Sequence, residues 1–143
     1  MEDKIDVFFK AFNTALRAHQ GQLDKSGVPY ILHPLAVSCR CESFDERIVA
    51  LLHDVVEDSD VTLKDLFSEF PSYIVQAVDA ITHRKNESHR DYVIRCSKNI
   101  IAARVKIQDV KHNMERMGFL TDQNLIDRLV KKYTEALEIL KVV

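Results

Sequence analysis

Hydrophobic residues recur at the spacing of an α-helix through almost the whole chain. The first stripe runs over residues 2–20, and others are centred on residues 74–81, 100–114 and 125–140. No segment alternates hydrophobic and polar residues in the way that a half-buried β-strand does. The pattern therefore predicts an all-α protein, a bundle of about seven helices in a single domain over residues 1–143.

Local signals mark the ends of several predicted helices. Gly21 is expected to end the first helix, and Gly118 is expected to end a long later one. Pro34 suits the first position of a helix, so a short helix is expected from Pro34 to Cys41, with His33 just before it. Three segments have the capping-box pattern that opens a helix, a hydroxyl residue followed three positions later by an acidic one: Ser43 and Glu46, Thr62 and Asp65, Ser88 and Asp91.

The segment Leu51–Asp58 has the densest group of ionisable side chains. We predict that it is part of one amphipathic helix, with a hydrophobic stripe on one side and four polar side chains across the opposite arc: His53, Asp54, Glu57 and Asp58. Residues four apart lie on the same side of a helix, which pairs the first with the third and the second with the fourth. Such a face either binds a divalent metal or is a polar surface turned to solvent.

A loop between the first two predicted helices has residues that suit an anionic ligand. Lys25 and Ser26 precede Gly27, and the backbone N–H groups of such a turn are able to bind an anion. The alternative is an ordinary turn with no ligand.

Two further polar segments allow both a functional and a structural interpretation. Residues 83–90, including Arg84 and Lys85, form the densest positive patch, which is either a solvated loop or a clamp for phosphate groups. The predicted helix over residues 99–117 has a line of polar side chains on one face, which either serves a site or is an exposed face: Lys106, Asp109, Asn113 and Arg116.

Composition narrows the class of protein. A hydrophobic content of 46% in 143 residues is enough for one core, and a net charge of −2 without a basic stripe argues against nucleic-acid or membrane-surface binding. The three cysteines have neither a disulfide pattern nor zinc-finger spacing, so we expect free thiols. Because the sequence has neither a signal-peptide pattern nor a membrane span, we expect a cytoplasmic protein.

Three motifs in order resemble the HD-domain metal-dependent phosphohydrolases. More narrowly, they resemble the (p)ppGpp hydrolase domains of RelA/SpoT-type enzymes and the small alarmone hydrolases. The motifs are residues 25–37, 51–63 and 105–114, and the resemblance extends over residues 8–117. It implies an HD-type helical bundle and disfavours the solvent-facing interpretation of the segment Leu51–Asp58.

The resemblance implies a role for each matching position. One divalent ion would be bound by His33, His53, Asp54 and Asp109. A mixed imidazole and carboxylate set suits Mn, Fe or Zn, and the family favours Mn²⁺. The Glu57 and Asp58 carboxylates would orient the attacking water and transfer protons. The residues expected to contact the substrate are Lys25, Ser26, Lys106 and Asn113. Arg84 and Lys85 are further candidates because of the positive charge of the 83–90 segment.

Three positions depart from the alarmone hydrolases. Leu23 and Asp24 stand where the family usually has basic residues, one of which helps to hold guanine. Arg116 stands where these enzymes tend to have a small hydroxyl residue. The metal centre therefore matches the family, whereas the base pocket does not.

Three functions remain open at this point. The first is a Mn²⁺-dependent 3′-pyrophosphohydrolase of (p)ppGpp, and the second is a phosphohydrolase of another nucleotide or phosphorylated metabolite. The third is an inactive HD module that binds a nucleotide as a sensor. In each case the expected partner is a small-molecule nucleotide, and assembly into a homo-oligomer stays open.

Overall fold

The computed structural model describes residues 2–141; residues 1, 142 and 143 of the predicted domain lie outside the described part. The described residues form nine α-helices: α1 (Lys4–Ala18), α2 (Leu32–Arg40), α3 (Phe44–Leu52), α4 (Val55–Asp58), α5 (Leu63–Glu69), α6 (Ser72–Ile81), α7 (His89–Ser97), α8 (Ile100–Glu115) and α9 (Gln123–Leu140). A single 3-10 turn, Arg116–Phe119, joins α8 to α9. Apart from one isolated bridge between Leu23 and Pro29, residues 2–141 contain no β-structure, so the all-α prediction is confirmed.

Helix α3 lies at the centre of the bundle. Its residues Val49, Ala50, Leu51 and Leu52 are fully buried. A helix that is hydrophobic on every side is covered on every side, and α3 packs against α1, α2, α6 and α8. The carboxyl end of α3 is therefore fixed deep in the protein.

The predicted capping residues do open their helices. Thr62 and Asp65 form a reciprocal capping box, while Ser43 and Ser88 accept hydrogen bonds from backbone N–H groups three residues later. Two boundaries differ from the prediction. Helix α8 ends at Glu115, so Gly118 lies inside the 3-10 turn and does not end the α-helix. Helix α2 begins at Leu32, so His33 lies inside its first turn.

The helix predicted across Leu51–Asp58 is two helices, with a break at His53 and Asp54. In a continuous helix the carbonyl of Ala50 would accept a hydrogen bond from the N–H of Asp54. Here the imidazole Nδ1 of His53 lies 2.5 Å from that carbonyl oxygen. Because the side chain takes the acceptor, the helix stops and a single new turn, α4, follows.

No helix of the described chain is both long enough and apolar enough to cross a membrane.

Candidate metal centre

Three buried side chains from distant parts of the chain converge beside the end of α3. The Nε2 atoms of His33 and His53 lie 2.8 Å and 3.4 Å from Oδ1 of Asp109. His33 comes from the first turn of α2, His53 from the break after α3, and Asp109 from the middle of α8. One ligand atom of each lies within 4.8 Å of the others, which is the spacing of groups that share one ion.

Asp54 joins this cluster from the same break. Its Oδ2 lies 3.0 Å from Nε2 of His53 and 3.8 Å from Nε2 of His33. The structure thus brings together all four residues that the sequence indicated as metal ligands. Two imidazoles and two carboxylates face one point, which is a donor set that suits Mn, Fe or Zn.

The chemistry of His53 fits a cation at this point. Its Nδ1 faces the carbonyl of Ala50 and must carry the proton, so Nε2 presents a lone pair. This Nε2 is buried and has no hydrogen-bond partner among the described residues, while two carboxylates lie beside it. A lone pair that faces carboxylates is unfavourable unless a positive charge lies between them.

The pKa of His53 also indicates that positive charge is favourable at this point. Burial favours the neutral ring, yet the carboxylates of Asp54 and Asp109 outweigh it and hold the pKa well above its usual value. A proton on Nε2 therefore takes the place that a metal ion would occupy. For His33 the balance is opposite, since burial lowers its pKa and favours the neutral ring that a metal ligand requires.

Each of the histidine rings is held by a second partner. Nδ1 of His33 lies 2.8 Å from Nδ1 of His112, and the two rings are stacked. When Nδ1 of His33 donates to His112, its Nε2 presents a lone pair to the cluster. The equivalent partner of His53 is the carbonyl of Ala50. Such partners set the tautomer and orientation of metal-binding histidines.

Both carboxylates are also fixed. The hydroxyl of Tyr30 donates to Oδ2 of Asp54 at 2.6 Å. The ammonium of Lys106 donates to Oδ2 of Asp109 at 2.9 Å, and its side chain is only 12% exposed. Against the cost of burial, the charges of Lys106 and His53 hold the pKa of Asp109 well below its usual value.

Two residues predicted to contact substrate also contact the cluster. Lys106 is held between Asp109 and the ring of Tyr92, 4.9 Å from the ring centroid. The amide of Asn113 is engaged at both ends, because it donates to Asp109 and accepts from Arg116. In this structure both residues position Asp109.

The two carboxylates predicted for proton transfer lie on α4, at the exposed rim of the cluster. Oε1 of Glu57 accepts a hydrogen bond from the backbone N–H of His83 at 2.5 Å. Partial removal from water raises the pKa of Glu57 and of Asp58, and the negative charge of Asp54 adds to both rises.

A cavity of about 390 Å³ adjoins the cluster, and Tyr30 and Asn113 belong to its walls. Its other walls come from the loop before α2, the 3-10 turn and α9: Leu23, Asp24, Lys25, Arg116, Met117, Phe119, Leu120, Leu129, Lys132 and Tyr133. The Lys25, Arg116 and Lys132 side chains make this wall positive. A wider cleft of about 670 Å³ lies between α1 and α5 and is bordered by Asp58, but none of the four clustered residues borders it.

The remaining predicted substrate residues lie away from this cavity. Ser26 hydrogen-bonds Asp24 through both its N–H and its hydroxyl, so it organises the loop. Arg84 and Lys85 are exposed, and Arg84 lies 3.6 Å from Asp79. Neither basic side chain is among the residues that line the cavity.

Several residues at the site escaped sequence reasoning. Tyr30 lies within the first family-like motif, which was the only signal for it. His112 lies within the third family-like motif, which was likewise its only signal, and Lys132 had no signal. Tyr133 has the spacing of a core residue on α9, although it lines the cavity.

The chain belongs to the HD domain family, whose sequence profile matches residues 11–117. This family implies a divalent metal, for which the buried cluster is the candidate site.

Curated relatives are similar over most of this chain. The bifunctional (p)ppGpp synthase/hydrolase SpoT of Escherichia coli (strain K12) is 31% identical over 83% of this chain and 19% of its own length. The guanosine-3′,5′-bis(diphosphate) 3′-pyrophosphohydrolase of Borreliella burgdorferi is 33% identical over 86% of this chain and 20% of its own length. The chain therefore spans about a fifth of the length of these relatives.

A solved structure shares the fold. It is that of a metazoan ortholog of SpoT that hydrolyses ppGpp, with a TM-score of 0.82 and 24% identity. The match covers 94% of this chain and 85% of that one, so the two chains have the same helical architecture.

Proposed function

We propose that this chain is a divalent-metal-dependent phosphohydrolase, and specifically a 3′-pyrophosphohydrolase of (p)ppGpp-type nucleotides. The observation that carries the proposal is the buried Nε2 of His53, which lies 3.0 Å from a carboxylate oxygen of Asp54 and 3.4 Å from one of Asp109. The similarity to named pyrophosphohydrolases supports the choice of substrate.

One Mn²⁺ ion would be bound by His33, His53, Asp54 and Asp109. When bound, the ion lowers the pKa of water and neutralises charge on a phosphate oxygen. The protein residues around the ligands hold them in place before the ion arrives. Tyr30 fixes one carboxylate and Lys106 fixes the other, so little reorganisation accompanies binding.

Glu57 and Asp58 would orient the attacking water and transfer its proton. Their raised pKa values bring them closer to neutral pH, where a general base works best. The N–H of His83 engages Oε1 of Glu57, which leaves Oε2 to accept the proton.

The cavity beside the cluster would take the rest of the nucleotide. Lys25, Arg116 and Lys132 provide positive charge for phosphate groups, and Tyr133 provides an aromatic surface for a base or sugar. Arg84 and Lys85 lie beyond the cavity and stay a prediction for a more distant phosphate.

The direct test is hydrolysis of ppGpp by purified protein with Mn²⁺. Addition of water across the 3′ ester bond yields GDP and pyrophosphate in equal amounts, and a chelator should stop the reaction. Absence of both products, in a preparation that binds Mn²⁺, would rule out this substrate.

A second candidate is hydrolysis of a different nucleotide, which the Asp24–Arg116 pair favours. Oδ2 of Asp24 lies 3.6 Å from the Arg116 guanidinium, and Oδ1 of Asp24 accepts from the Ser26 hydroxyl and backbone. The three positions at which this sequence departs from the alarmone-hydrolase pattern, Leu23, Asp24 and Arg116, all line this cavity. Product release from another nucleotide in a panel, and not from ppGpp, would support it. Tight binding without turnover would indicate an inactive binding module.

A further inference from the structure

Helix α4 carries both residues assigned to proton transfer, yet it is a single turn of four residues. An isolated turn of helix is unstable, because its first hydrogen bond must fix several residues at once. Only Val55 of the four residues is fully buried. Contacts from other parts of the protein must therefore hold α4 in place.

The carboxyl end of α4 is held by a side chain from the loop after α1. The Nε2 of Gln22 donates to the backbone carbonyl of Asp58 at 2.7 Å, and to that of Ala18 at 3.2 Å. The last carbonyls of a helix have no partner within it. Gln22 thus caps α4 and joins it to α1.

His19 in turn fixes the amide of Gln22. Because Nε2 of Gln22 donates to carbonyls, its Oε1 faces Nδ1 of His19, at 2.8 Å, and this ring nitrogen must carry the proton. His19 is 3% exposed, and its Nε2 is buried without a partner among residues 2–141. A buried unpaired nitrogen costs free energy. The ring of His19 is therefore consistent with placement for the hydrogen bond that its Nδ1 makes to Gln22.

His19 also contacts the residue that holds the beginning of α4. Its ring lies 5.0 Å from that of Tyr30, centroid to centroid, and the Tyr30 hydroxyl donates to Asp54, the residue just before α4. The ends of the short helix are therefore connected through one buried imidazole.

We infer that His19 and Gln22 are positioning residues that hold α4, and with it Glu57 and Asp58, against the metal centre. This inference rests on the proposed function for the catalytic role of the α4 carboxylates. Neither His19 nor Gln22 is one of the four clustered residues, and neither lines the cavity of about 390 Å³, although Gln22 borders the wider cleft beside Asp58. Their loss should lower the rate of chemistry and leave metal and substrate affinity intact.

The test compares variants at the two ends of this connection. Gln22→Met keeps the length of the side chain and removes its donor, and we expect kcat to fall about tenfold or more, as for a displaced catalytic group. KM and the Mn²⁺ dissociation constant should stay within about twofold of wild type on the same argument. His19→Ala should behave alike, while His19→Asn, which keeps an N–H donor near the position of Nδ1, should restore most of the rate.

Ser59→Ala is the matched control. It removes two hydrogen bonds of the Ser59 hydroxyl, one donated to the carbonyl of Val55 and one accepted from the N–H of Val61, and it leaves Gln22 in place. Wild-type kcat in Gln22→Met would overturn the inference, as would an equal loss in Ser59→Ala or an equal loss of Mn²⁺ affinity.

Amide hydrogen exchange separates this inference from the proposed function. If wild-type protein hydrolyses no nucleotide, the proposed function fails. The exchange rates of the backbone amides of residues 55–58 in the Mn²⁺-loaded protein then test whether His19 and Gln22 hold α4. Faster exchange in Gln22→Met than in Ser59→Ala supports it, and equal exchange overturns it.

Discussion

The metal centre and the cavity beside it share walls, yet they are built in opposite ways. In the centre, His53 and Asp109 are buried and every side chain has a second partner that holds it. In the cavity, Lys25 and Lys132 are exposed, and Leu23 is 64% exposed. In the proposed function, the chemistry depends on this buried network, and substrate choice depends on the open wall, where this sequence departs from the alarmone hydrolases.

Among changes in the buried cluster, His53→Ala should have the largest effect. It removes one of the four clustered side chains, so we expect Mn²⁺ binding to be lost in isothermal titration. Loss of several kcal/mol of charge stabilisation lowers turnover by about 10³-fold or more. Stoichiometric Mn²⁺ binding by this variant would remove His53 from the ligand set.

Replacing Glu57 with Gln tests the rim between the two regions. The amide cannot accept a proton, so kcat should fall by about 10²-fold, the usual scale for a lost general base. Metal affinity should not change. Because the pKa of Glu57 is raised, wild-type activity should decline with falling pH sooner than an ordinary carboxylate allows, and this acid limb should be absent from the variant. Unchanged turnover would exclude Glu57 from the mechanism.

Tyr30→Phe tests whether the contacts around the ligands matter. It removes the hydroxyl that donates to Asp54, and we expect Mn²⁺ affinity or activity to fall about tenfold, the lower end for such partners. Tyr73→Phe is the control, since that hydroxyl donates to Asp45, in the first turn of α3 and at the opposite end of that helix from His53. Equal effects of both changes would show that the Tyr30 hydroxyl has no special role.

Arg116→Thr tests whether the exposed wall of the cavity selects the substrate. Removing the guanidinium frees the amide of Asn113 and leaves Asp24 without its ion pair. We expect KM to change by about tenfold, the scale of one charge-assisted hydrogen bond, with a change in preference among nucleotides. Mn²⁺ affinity should stay near wild type. An unchanged nucleotide preference would mean that Arg116 does not select the substrate.

The smallest effect is expected in the loop before α7, which supports Glu57 through His83. Glu87 bonds the Arg95 guanidinium at 2.8 Å, and this bond lowers the pKa of Glu87 to about 2. Because the folded pKa lies below the unfolded one, the stabilisation is present at neutral pH and is lost as pH falls towards 2. Glu87→Gln should lower Tm by a few degrees at pH 7, and most of the difference should be lost at pH 2. An equal difference at both pH values would contradict this account.

Sequence reasoning predicted the helices from local patterns, and it predicted the clustered residues from the resemblance of three motifs to the HD-domain phosphohydrolases. The stripes and the capping residues are read over a few neighbours, as at Thr62 and Ser88. The break at His53 depends on one side chain reaching a carbonyl, which periodicity does not encode.

Contacts between segments that are distant in the sequence could not be predicted either, because hydrophobic periodicity does not encode them. The pairing of Lys106 with Asp109 on one helix was an alternative that the sequence allowed, but only the fold places the ring of Tyr92 beside Lys106 and buries the pair. Tyr133 has ordinary core spacing, and only the packing of α9 against α8 brings it to the cavity.

The central claim is that His33, His53, Asp54 and Asp109 share one cation. Anomalous diffraction from crystals soaked in Mn²⁺ tests it most directly. We predict one strong peak, with a ligand atom of each of these residues at a bonding distance of about 2.0–2.3 Å. A peak elsewhere, or a protonated His53 paired with both carboxylates at saturating Mn²⁺, would contradict the account.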